Sequence, residues 1–186
     1  MEKKNFNADI PSSDAPFNLC VRHGDLIYVS GLPPFDEAFS ASVREARAGK
    51  LPLPPFPPMP FADQVHLVMG NMKKLVEQAG SNMDCLLKVI VWLKDQRDSG
   101  EFDPIYRTYF SSQETLPART RMQAGRTPMD CGLEVEAIGY VPKAAKAKAA
   151  KRTVKKAVKK KPAVKGEKKT ATGRSTGAKP KSRPRR

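Results

Sequence analysis

Polar and apolar side chains alternate along residues 118–125 and again along 133–141, and these two runs set the reading of the whole chain. Successive side chains of a strand point to opposite faces. The first run puts Ala118, Thr120, Met122 and Ala124 on one side and Arg119, Arg121 and Gln123 on the other. The second puts Leu133, Val135 and Ala137 on one side and Glu134 and Glu136 on the other. Residues 126–132 are rich in turn formers, so the runs are expected as an antiparallel pair, with arginines and glutamates on one face of one sheet. Cross-strand ion pairing on a solvated face accounts for such a pattern, and so does a ligand site; periodicity alone does not separate them.

The rest of the chain supplies the remaining elements. Residues 17–21 and 26–30 flank Arg22-His23-Gly24-Asp25 and read as a hairpin, whose second strand ends at Ser30-Gly31, where a glycine permits close backbone approach. Phe61, Val65, Val68, Met72, Leu75, Val76 and Ala79 recur at helical spacing until Gly80. Residues 86–93 are apolar enough for a buried strand. Asp103-Pro104 is expected to start a second helix, with Ile105, Tyr106, Tyr109 and Phe110 on its inner face and a stop near Ser111-Ser112. The order is β-β-α-β-α-β-β, an α+β fold with two helices on one face of a sheet. The other face needs cover, which self-association would supply.

Residues 32–60 interrupt this scheme and end in LPLPPFPPMP. Proline at that density favours an extended path over helix or central strand. A stiff surface loop, a lid over a site and a docking strip all fit, and the apolar Leu51, Leu53, Phe56 and Met59 need cover.

Charge divides the chain in two. Residues 1–142 hold 15 Lys+Arg against 18 Asp+Glu, a net of −3, whereas residues 143–186 hold 19 against 1, a net of +18. The second segment is built from Lys, Ala, Pro, Val, Thr and Gly with no aromatic residue, so it is expected to be a disordered tail that cannot bury enough surface to fold alone. It resembles the lysine-rich tails of linker-histone-type proteins. Non-specific, salt-dependent binding to a DNA or RNA backbone is expected of it, against the alternative of a solubilising tail with no fixed partner. Cys20, Cys85 and Cys131 are widely spaced and read as free thiols of a reducing compartment. His23 and His66 are isolated and read as solvated, so no metal site is expected. Residues 1–9 carry two lysines with no apolar stretch behind them, and no run approaches the length of a membrane span. No signal peptide and no membrane partner are expected, and the location is read as cytoplasmic, with the nucleoid as a further site of residence.

Pro117-Ala118-Arg119, the Pro128 turn and Leu133-Glu134-Val135-Glu136-Ala137-Ile138 resemble the C-terminal signature of the Rid family. The likeness runs back through Asn71, Ala79-Gly80, the strand ending Val91-Trp92-Leu93-Lys94-Asp95, and Tyr28-Val29-Ser30-Gly31, and so covers roughly residues 10–142. It implies a chorismate-mutase-like domain assembled as a homotrimer with pockets between subunits. It also implies hydrolysis of reactive enamine or imine intermediates, such as 2-aminoacrylate, to 2-oxo acids and ammonia without a metal or cofactor. Carried over residue by residue, Arg119 would clamp the carboxylate of a small imino acid and Glu134 would activate water, with Glu136 the second choice. Phe17, Ser30, Gly31 and Arg121 would shape the pocket. The chain departs from the family pattern at Phe17, where many members have tyrosine, and at Arg121, where cysteine is frequent. Typical members are also shorter across residues 36–60. The rival reading is a non-catalytic trimeric scaffold that binds ligand or nucleic acid. Nuclease chemistry lacks a histidine or metal constellation to support it.

Overall fold

The computed structural model describes residues 2–143, so the basic tail lies outside the described residues, apart from Lys143. The chain runs β1 (Lys3–Phe6), β2 (Cys20–His23), β3 (Leu26–Leu32), α1 (Glu37–Ala48), α2 (Phe61–Gln78), β4 (Leu86–Leu93), α3 (Ser99–Arg107), β5 (Ala118–Gln123) and β6 (Leu133–Tyr140), with single 3-10 turns between some of them. The sheet order is β1-β2-β3-β6-β4-β5. Every neighbouring pair is antiparallel except β4 and β5, which run parallel.

This topology corrects the expected pairing of the last two strands. β6 inserts between β3 and β4, and β5 is carried by α3 to the far edge of β4. The apolar β4, LLKVIVWL, therefore separates them. β4 is largely apolar on both of its faces, which suits a central strand, whereas the charged ARTRMQ of β5 suits an edge. The alternation itself holds for β6, where Leu133, Val135 and Ala137 are buried.

α2 forms because Val65, Val68, Met69, Met72, Leu75 and Val76 share one stripe and are completely buried against the sheet. Burying each is worth about 1.5–3 kcal/mol relative to exposure. The helix ends through paired bonds from the Ser81 N–H to the Val76 carbonyl, 2.8 Å, and from the Gly80 N–H to the Glu77 carbonyl, 3.0 Å, with Gly80 at φ 90°. Arg22, expected as a turn residue, lies within β2 instead and donates from Nη1 to the Ala79 carbonyl at 2.8 Å. Gly70 inside this helix and Gly80 just past its end should respond oppositely to alanine. A Cβ at Gly70 meets nothing within 4 Å, so Gly70→Ala is expected to stabilise by about 1 kcal/mol. At Gly80 the left-handed φ makes the same change cost about 1–2 kcal/mol. Urea denaturation midpoints of the two variants, moving to opposite sides of the parent, check both.

Three further elements differ from expectation. β1, KKNF, has no apolar pattern and is held by backbone pairing with β2 at the sheet edge. α1 occupies the first half of the insertion: Asp36 caps it by accepting from the Phe39 N–H at 2.7 Å, and Phe39, Val43 and Ala46 are buried. Proline density governs only residues 51–60. α3 starts at Ser99 and not at Asp103, so Pro104 lies inside it. The missing bond there falls to the carbonyl of Gly100, an exposed residue that water can serve. Asp103 is thereby freed from capping.

α2 and α3 cover one face of the sheet, over a core that includes Ile27, Val29, Val89, Val91, Leu93, Phe102 and Val135. A second, small core of Phe35, Phe39, Val43 and Cys131 takes Phe56 and Met129 against it, which covers part of the proline-rich strip. The opposite sheet face exposes Leu26, Tyr28, Leu87, Met122, Ile138 and Tyr140. All three cysteines are buried and free.

Candidate active site

Register decides which side chains meet. Val89 is paired with Arg119 on one side and Ala137 on the other, and Val91 with Arg121 and Val135. Arg119 and Arg121 therefore stand on the helix-covered face, at the sheet edge. Glu134 lies in the row of Trp92 and Met122, and Glu136 in the row of Ile90 and Thr120, so both acids project from the opposite face. The expectation that arginines and glutamates share a face of one protomer is thus corrected: one chain holds an arginine cluster and, separately, a glutamate cleft.

The arginine cluster is completed by α3. Arg119 Nη2 and Arg121 Nη1 each lie 2.8 Å from the same oxygen, Asp103 Oδ1. Arg121 thus pairs with Asp103 and not with Glu136. The Arg119 guanidinium lies 4.8 Å from the Tyr106 ring centroid and 5.6 Å from that of Phe102. Tyr106 Oη and Arg121 Nε are buried and make no hydrogen bond. Burial pushes the Tyr106 phenol up to about 12, against the opposing pull of Arg119, so it keeps its proton. Two cations against one acid leave this corner with an uncompensated positive charge and idle donors, an arrangement suited to an anion. In the sequence Asp103 has the signature of a cap and Tyr106 that of a core residue. Their spacing of three on one helix was the only signal, and it acquires meaning only once β5 lies beside α3.

The glutamate cleft is built around a register shift in β3 between Val29 and Leu32. Gly31 lies in that irregularity, and a Cβ there would sit 2.2 Å from Glu134 Oε1, so the carboxylate's place depends on glycine. Glu134 opens on a cleft of about 210 Å³ that Phe17, Gly31 and Asn71 also line. Phe17 precedes β2 and is 53% exposed at this cleft. Ser30 is committed to the scaffold: its Oγ donates to the Asn18 carbonyl at 2.8 Å and its N–H to the Leu19 carbonyl at 2.9 Å. Glu136 lines a different hollow, with Tyr28, Ser30 and Lys88. Among the described residues no group of three His, Cys, Asp or Glu is placed to hold a metal ion.

Burial, and then the charge of Glu136, push the Glu134 carboxyl above its usual range. A carboxyl raised in the folded state contributes stability at low pH that is lost as pH rises through its folded value. Glu134→Gln, neutral at every pH, is therefore expected to melt above the parent at neutral pH. The difference should vanish below the normal carboxylate range. Thermal melts at pH 3 and pH 7.5 check this; a variant that melts lower at pH 7.5 would contradict it.

The family model for endoribonuclease L-PSP matches residues 7–141. The chain belongs to this family, the Rid family. A RutC family protein of Pyrococcus horikoshii is 28% identical over 140 residues, which span 75% of this chain and 98% of that one. TdcF of Escherichia coli, named as a reactive intermediate deaminase, is 34% identical over 82 residues, 44% of this chain and 64% of TdcF. The crystal structure of TdcF with bound serine superposes with a TM-score of 0.59 at 27% identity, over 74% of this chain and 98% of TdcF. RidA from the Antarctic bacterium Psychrobacter sp. shares the fold at a TM-score of 0.60 and 24% identity, over 74% of this chain and 99% of RidA. The Rid fold accordingly accounts for the described body, and the α+β expectation holds.

Proposed function

We propose that this Rid protein hydrolyses reactive enamine or imine intermediates of amino acids to 2-oxo acids and ammonia. The observation that carries the reading is Glu134, a half-buried carboxyl with a raised proton affinity at the wall of a cleft, in a family that includes a reactive intermediate deaminase. Raising a carboxyl's proton affinity makes it a stronger base toward the attacking water. Glu134 takes a proton from the water that attacks the imine carbon. It returns a proton to nitrogen as the tetrahedral adduct collapses, so that ammonia leaves.

Clamping of the substrate carboxylate falls to Arg119, and this requires a second copy of the chain. Arg119 lies on an edge strand and Glu134 on the other side of its own sheet, so in this reading the Arg119 of a neighbour reaches the Glu134 cleft across a subunit boundary. The uncovered face bearing Leu26, Tyr28, Ile138 and Tyr140 supports such association, and a closed trimer covers it on every subunit. Residues 143–186 add non-specific binding to a nucleic-acid backbone.

The test is release of 2-oxo acid and ammonia when the protein meets imines generated in situ from a panel of amino acids, with Glu134→Gln alongside. Loss of general acid-base help costs about 10²–10⁴-fold in rate. No acceleration by the parent across the panel would overturn the reading in favour of a binding scaffold.

A further inference from the structure

The Glu134 cleft is larger and more apolar than a three-carbon substrate needs. Its volume is about 210 Å³; Ile10, Phe17, Leu19, Phe35 and Met129 give it apolar walls, and Ser13, Arg47, Asn71 and Glu134 are its polar lining. An apolar protein cavity of about 150 Å³ is enough for benzene. A substrate the size of 2-aminoacrylate would leave these walls against water.

The long insertion supports two of the walls. Phe35 stands just before it, edge-on to Phe39 at 4.8 Å and stacked with Phe56 at 6.0 Å between centroids. Met129 belongs to another loop, but the insertion holds it: the Phe56 N–H donates to the Met129 carbonyl at 3.1 Å. Met129 and Asp130 both adopt left-handed backbone, φ 48° and 62°, a conformation that costs energy in residues with side chains. The Phe56 bond and the two-bond Arg126–Asp130 pair, at 2.8 and 2.7 Å, keep them there. Leu53, Pro54 and Pro55 then border an open hollow on the other side of Met129, which Glu134 also touches. The proline-rich strip thus acts as a brace for one wall of the cleft.

We infer that the insertion makes this a pocket for a large side chain, and that the ligands are 2-imino acids with an aromatic or bulky branched apolar group. This inference rests on the deaminase reading of the same site. The apolar walls take the side chain, while Glu134 faces the C=N carbon. Water adds there, the C–N bond breaks, and the products are the aryl or branched 2-oxo acid and ammonia.

The experiment uses the full-length protein and two stable product acids, phenylpyruvate and pyruvate, titrated by calorimetry, with turnover of phenylalanine- and alanine-derived imines measured in parallel. A single methylene in an apolar pocket is worth about 10–200-fold in selectivity. Phenylpyruvate should therefore bind at least about tenfold more tightly than pyruvate. Ala15 lines the same cleft, and Ala15→Trp, which fills it, should erase that preference. Equal affinity of the parent for the two acids, or a preference that survives in Ala15→Trp, overturns the inference. Preferential binding of phenylpyruvate without turnover of either imine upholds the pocket and sinks the deaminase reading. Turnover without a size preference does the reverse.

Discussion

Arg119→Ala should lose at least about a hundredfold in kcat/KM for imine hydrolysis, the scale set by losing the orientation of a reacting substrate. The protein should remain folded. Arg119 is partly exposed, its contacts are one shared ion pair and two aromatic faces, and Asp103 retains Arg121 at 2.8 Å when Arg119 is removed. Exposed ion pairs and cation–π contacts are each worth about 1 kcal/mol or less, so the melting temperature should fall only slightly. Arg119→Lys is the sharper diagnostic. Lysine keeps the charge but offers a point donor where a carboxylate calls for a planar fork, and it should recover little of the rate. If Arg119→Ala turns over imines normally, the clamp is misassigned. Mixing experiments add a test of the subunit boundary: inactive Arg119→Ala and inactive Glu134→Gln protomers, refolded together, should regain part of the activity. A site complete within one chain would show no such rescue.

Deleting residues 143–186 should abolish retention on DNA at low salt and leave turnover untouched. The deleted segment carries 19 of the 34 Lys and Arg residues and the remainder is net negative, so phosphate attraction goes with it. For the full chain, engagement of some 6–10 phosphates predicts an affinity that falls about 10³–10⁵-fold between 50 and 200 mM salt. Fluorescence anisotropy with labelled duplexes of unrelated sequence measures both the slope and the lack of sequence preference. Retention by the truncated protein would require a basic surface on the body.

The sequence made the elements legible but not their neighbours. α2 and β6 could be read because their patterns have one period each and their burial follows it residue by residue. The separation of β5 from β6 is not legible there because alternation tells which side chains share a face of one strand and nothing about which strand lies beside it. A seven-residue connector rich in turn formers suits a hairpin and a crossing to another edge equally well. The same limit hid the site: Arg119 and Glu134 were each identifiable from motif, yet their separation onto opposite faces depends on β4 lying between them. Asp103-Pro104 misled for a local reason, since the preceding Asp95 turn starts the helix a full turn earlier. α1 is masked by the prolines that follow it, although Asp36 followed by Phe39, Val43 and Ala46 carries both a cap and a stripe.

Asp103 gives the arginine corner a built-in occupant. Both guanidiniums already lean on one oxygen of an acid fixed to α3, so an incoming anion gains only the difference between its own pairing and the one it disturbs. A tethered competitor acts at high effective concentration, whatever the medium contains. Weakly bound anions such as chloride gain little there, whereas a planar carboxylate that can use two donors at once still profits. The corner therefore behaves as a threshold, answering to ligands that outbid its own aspartate and ignoring the salt around it.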